Sequence, residues 1–136
     1  MASAAPSTPS PKVWPVLIGD TLAYALVTAL GFATHGLLST SPAWRFLATF
    51  LPFLGAWLLA AFAVGAYRTA TFVSAPQLWR PAIAALLAAP LGAVVRGAWL
   101  GAPVLPIFVG IMGVVSIAAV LAWRGLHLIV RRAAIP

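Results

Sequence analysis

Residues 13–34 read VWPVLIGDTLAYALVTALGFAT, an apolar run broken by one charge, Asp20. A helix crosses a bilayer with roughly 20 apolar residues, because each adds about 1.5 Å against a hydrocarbon core of about 30 Å. This stretch meets that length, so it is expected to be a first membrane-spanning helix. A cleaved secretory leader would need a basic start, a shorter apolar core and a small-residue cleavage site. Here one Lys, Lys12, precedes a run of full spanning length, so the helix is expected to be retained.

Three more stretches qualify on the same arithmetic: residues 46–67, 81–100 and 104–130. The third is rich in Ala and the least hydrophobic, so it needs its neighbours. Composition agrees with four spans. The 136 residues are 63% hydrophobic and 7% charged, with a mean hydropathy of +1.07. A soluble domain carries about a quarter charged residues, so this chain cannot cover a soluble surface. The expected class is all-α, an integral membrane antiparallel four-helix bundle spanning residues 13–130. A disordered tail rich in Ala, Ser and Pro is expected at 1–12, and a short basic tail at 131–136. With no cysteine, disulfides, thiolate metal sites and cysteine nucleophiles are excluded.

The net charge of +7 does not point to nucleic acid, because the cations stand singly at the ends of apolar runs. They divide unevenly. Lys12, Arg68, Arg80, Arg124, Arg131 and Arg132 fall on one side of the four spans, and only Arg45 and Arg96 on the other. Positive charge accumulates on the cytoplasmic side, so both termini are expected there, in a cell (inner) membrane protein. Trp14, Trp79 and Trp123 fall at the inner boundary and Trp44 and Trp99 at the outer one, where indole prefers to lie. Trp57 is left in mid-span. Pro52 and Pro90 are interior to their spans and should kink them. Small residues four apart, as in Ala56/Ala60, Ala84/Ala88 and Ala85/Ala89, would let backbones approach closely. Leu51-Pro52-Phe53-Leu54-Gly55 also resembles Leu105-Pro106-Ile107-Phe108-Val109-Gly110, which raises the idea of two duplicated hairpins.

Asp20 lies about 9 Å inside the first span at about 1.5 Å per residue. Burying it costs on the order of 1–3 kcal/mol unless it is paired. On a helix, Tyr24, Thr28, Gly31 and His35 follow it on roughly one face, as a polar stripe. Three roles are open for Asp20: an ion pair that locks the helices, a protonatable group in a transport path, or a contact to a partner or ligand. Arg124 is the expected partner, with Arg68 and Arg80 as alternatives. The candidate intramembrane polar site is therefore Asp20, Tyr24, Thr28, His35 and Arg124. Arg96 is expected to extend toward lipid phosphate. Otherwise it caps carbonyls or joins Arg45 and His35 in an outer site for an anion or headgroup. His35 is also a candidate axial ligand to a pigment or haem. No metal cluster, phosphate-cradling loop or Ser/His/Asp set is expected, and no cofactor.

The motifs fall in a familiar order. Gly19-Asp20 and His35-Gly36 belong to the first span, and Trp44-Arg45 with Pro52-Phe53-Leu54-Gly55-Ala56-Trp57 to the second. Pro90-Leu91-Gly92 with Arg96 marks the third, and Trp123-Arg124 the fourth. Over residues 13–128 this resembles the four-helix prokaryotic membrane protein family called domain of unknown function 3054. The resemblance implies a multi-pass protein of the cell membrane and brings no activity with it. Asp20, Arg96 and Arg124 match its polar positions. The likeness to small multidrug transporters, also four helices with one acid in the first, is architectural only.

The expected function is a small membrane protein, not an enzyme, serving as an accessory or structural subunit of a membrane assembly. The alternative is a homodimeric proton-coupled transporter of a small solute that uses Asp20. A second alternative is a pigment- or haem-contacting subunit that uses His35. Expected partners are the lipid bilayer and either a second copy of the chain or a larger membrane complex.

Overall fold

The computed structural model describes residues 11–134. Most of the expected N-terminal tail, and residues 135–136, lie outside them. The described residues form helices and connecting turns, with no strand. α1 is Trp14–Thr34, α2 Ala43–Ala63, α3 Thr69–Phe72, α4 Trp79–Leu100 and α5 Pro106–Ala133. A 3-10 turn at Ala75–Gln77 leads into α4. The four long helices are each long and apolar enough to cross a membrane.

Helix starts follow proline chemistry. Pro15 lies in the first turn of α1, and Pro106 opens α5, where a missing N–H costs nothing. Pro52 and Pro90 are carried inside α2 and α4. Two helix ends differ from the sequence reading. α2 stops at Ala63, not 67, because Gly65 takes a left-handed φ of +72°. Gly65 N–H then donates to Phe62 O at 3.1 Å, and Ala66 N–H to Ala61 O at 2.8 Å. That pair of bonds is the helix-ending motif that a glycine permits. α5 continues through Arg131 and Arg132, so the first part of the expected basic tail is the last turn of a helix. The duplication does not hold: Pro52 lies deep within α2, whereas Pro106 begins α5, so the two motifs occupy different heights.

α2 packs along α4, α4 along α5, α5 against α1 and α1 against α2, which closes a ring. The small residues make this possible. Ala56, Ala60 and Ala61 of α2 and Ala84, Ala85, Ala88 and Ala89 of α4 are all buried. At Gly92 the approach is closest: a Cβ there would come within 2.6 Å of the Phe53 ring and 3.0 Å of the Phe53 Cα. Gly19 plays the same part between α1 and α5, where the Trp123 indole occupies the space that a Cβ would fill. Many of the large apolar side chains face outward instead. Leu22, Leu59, Ile107, Val114 and Ile129 are exposed. A soluble protein has the opposite arrangement, with large residues inside.

Candidate functional site

Asp20 and Arg124 are both fully buried, at 0% and 1% exposure. Arg124 Nε donates to Asp20 Oδ1 at 3.0 Å, and Nη2 to Oδ2 at 2.7 Å. This side-on fork matches the planar guanidinium to the carboxylate and is the strongest geometry the pair can adopt. The third arm, Arg124 Nη1, donates to the carbonyl of Ala66 at 2.9 Å. Tyr67 Oη donates to Asp20 Oδ2 at 2.7 Å and accepts from Trp57 Nε1 at 3.1 Å. The Arg124 guanidinium also lies 5.1 Å from the centre of the Tyr67 ring. One connected network thus joins α1, α2, the turn after α2, and α5. We call it the lock.

The turn at Gly65 builds half of it. By reversing the chain after Ala63, it turns the Ala66 carbonyl and the Tyr67 side chain in toward Arg124. Arg80 steadies the same turn, with Nη1 donating to Val64 O at 2.7 Å and Nε to Gln77 Oε1 at 2.9 Å. Arg68 is exposed. Of the three Arg considered as partners for Asp20, it is Arg124 that pairs with it.

The expected stripe is divided. Tyr24 and Thr28 are buried one and two turns beyond Asp20, as the helical spacing requires. Thr28 Oγ1 donates back to Tyr24 O at 2.9 Å, and the hydroxyl-bearing side chains of Tyr24 and Ser116 are both buried. His35 does not join the lock. It caps the far end of α1, is exposed, and belongs to a separate cavity.

That cavity, of about 390 Å³, lies at the end of the helices opposite the lock and is lined by Thr28, His35, Arg45, Thr49, Arg96 and Phe108 among others. The direction of Arg96 corrects the expected extension toward lipid phosphate. Its Nε donates to Thr49 Oγ1 at 3.0 Å, and its guanidinium lies 4.8 Å from the centre of the Phe108 ring. Both contacts turn it inward, because a hydroxyl and an aromatic face are available on α2 and α5 at that height. Arg45, His35 and Arg96 thus line the same cavity.

Trp57, Tyr67 and the Ala66 carbonyl escaped the sequence reading. Their only signal was an unexplained indole in mid-span and a Gly-Ala-Tyr step where a helix was expected to continue.

Fold and site together define a small all-helical protein with four membrane-length apolar helices, pinned by one buried ion pair. Residues 17–127 match the family model described as Protein of unknown function (DUF3054), and the chain belongs to that family. Comparison with curated proteins and with solved structures gives no match.

Proposed function

We propose that the chain spans the cell membrane as an antiparallel four-helix bundle with both termini in the cytoplasm, and that it acts as a non-enzymatic subunit of a membrane assembly. Orientation is supported by cation placement. With Arg124 and Arg96 turned inward, Lys12, Arg68, Arg80, Arg131 and Arg132 remain at the lock end against Arg45 at the other. The apolar side chains on the outer faces of the helices suit lipid or a neighbouring membrane protein.

One observation carries the non-catalytic reading. The single acid of the chain has both oxygens engaged, by Arg124 and by Tyr67. A carboxylate held this way is a structural element and not a free base. On this reading Asp20→Asn lowers yield and thermal stability, and adding Arg124→Gln restores part of the loss. Extraction from native membranes in mild detergent, followed by mass spectrometry, is expected to recover stoichiometric partner subunits. A particle that contains only this chain would contradict the subunit role.

A second reading has its own support. The Tyr24 and Ser116 hydroxyls, both buried, lie on α1 and α5 between the lock and the cavity. They are suited to carry water or a proton toward Asp20 in a transporter. That reading predicts that Asp20→Asn abolishes proton-coupled flux in reconstituted vesicles while expression stays normal.

A further inference from the structure

The cavity opposite the lock holds more positive charge than the chain can neutralise. Arg45 and Arg96 line it, and the one acid of the protein is committed to Arg124 at the other end. Among the described residues Arg96 spends only Nε on a hydrogen bond, to Thr49. Its two terminal nitrogens, the fork that suits carboxylate and phosphate, are left free. Thr28, His35, Ser41 and Thr49 add polar groups, and most of the remaining wall is apolar, including Val27, Leu30, Leu100, Ile111 and Val115. Leu30 and Ile111 are also exposed, and a Cβ on Gly31 would meet nothing within 4 Å, so the cavity is open alongside α1 and not sealed. Its volume of about 390 Å³ falls in the range of small-ligand sites, roughly 300–1,000 Å³.

We propose that this cavity binds an anionic amphiphile, with its carboxylate or phosphate held by Arg96 and Arg45 and its acyl chain laid along the apolar wall. A partly desolvated guanidinium without a counter-ion draws an anion, and apolar walls add affinity in proportion to the chain they cover. A fatty acid and an anionic phospholipid share this chemistry. The inference rests on the membrane reading for the source of its ligand and not on the lock.

The test uses the full chain purified in a nonionic detergent, with native mass spectrometry as the readout. The probes are palmitate, phosphatidylglycerol and uncharged hexadecanol. One palmitate or one phosphatidylglycerol per chain is expected, with hexadecanol roughly tenfold weaker or more, reflecting the loss of charge-assisted bonds. Preference for palmitate identifies a free fatty acid as the ligand, and preference for phosphatidylglycerol a lipid headgroup. Arg96→Gln is expected to weaken binding roughly tenfold, and Arg45→Gln, at an exposed position, by a smaller factor with the fold intact. Arg132→Gln, in the last turn of α5, leaves binding unchanged. Equal binding of hexadecanol, no stoichiometric binding of either anion, or losses no larger in Arg96→Gln and Arg45→Gln than in Arg132→Gln would overturn the site. A chain recovered from the soluble fraction that still binds palmitate through Arg96 would overturn the membrane reading and leave the site standing.

Discussion

Tyr67 shows how much a single side chain contributes to a buried charge. Its hydroxyl gives Asp20 a third hydrogen bond and takes the Trp57 N–H in return. Tyr67→Phe removes the donor and leaves the Trp57 N–H without a partner. The expected destabilisation is about 1.5–3 kcal/mol, read as a lowered melting temperature in detergent. It should be smaller than that of Asp20→Asn, which leaves Arg124 buried without a counter-charge at a cost of about 3–5 kcal/mol. A Tyr67→Phe variant as stable as the parent would remove Tyr67 from the lock. The Asp20–Arg124 pair was legible in the sequence because one acid must find a cation, and Arg124 lies near the same height on another span. Tyr67 and Trp57 were not legible. Which side chain reaches Asp20 depends on how α2 is rotated and where it ends, and neither is written in hydropathy. The direction of Arg96 was hidden for the same reason: a long Arg near a helix end can turn to the headgroups or inward, and Thr49 and Phe108 decide it.

Among the elements, two glycines carry opposite kinds of constraint. Gly65 is needed for its backbone, since φ is +72° and the turn it makes delivers Ala66 and Tyr67 to the lock. Gly65→Ala should cost about 1–2 kcal/mol through the left-handed conformation alone. A thermal midpoint equal to that of the parent would show that the turn has another solution. Gly92 is an ordinary helical residue that is needed for its lack of a side chain. A Cβ there would meet both the ring and the backbone of Phe53, so α4 must move away from α2. Gly92→Leu is expected to lower stability by about 1–3 kcal/mol or more by overpacking, whereas Gly55→Leu, where a Cβ meets nothing within 4 Å, is expected to have little effect. The sequence marked the four helices to within a few residues, because length and hydropathy alone identify them. It missed the end of α2, since apolar residues continue past Gly65 and only the turn geometry stops the helix.

For the whole molecule, the lock joins residues 104 positions apart, so it can close only when α1 and α5 have come together beside the turn after α2. Lipid gives apolar helices little reason to choose one register over another, so a lone acid meeting the Arg buried at its own height is well suited to select it. The proposed orientation has its own test. The protein lacks cysteine, so a single Cys at Ala70, in the short helix between α2 and α4, should be shielded from an impermeant thiol reagent in intact cells. A Cys at Ser39, between α1 and α2, should be labelled. The reverse pattern would invert the orientation. The central claim is that Asp20 and Arg124 act as one structural unit. The most direct measurement is a double-mutant cycle of Asp20→Asn and Arg124→Gln, followed by unfolding in detergent. The account predicts large single losses and a double-variant loss well short of their sum, with a coupling of about 2–3 kcal/mol. Losses that simply add would contradict it.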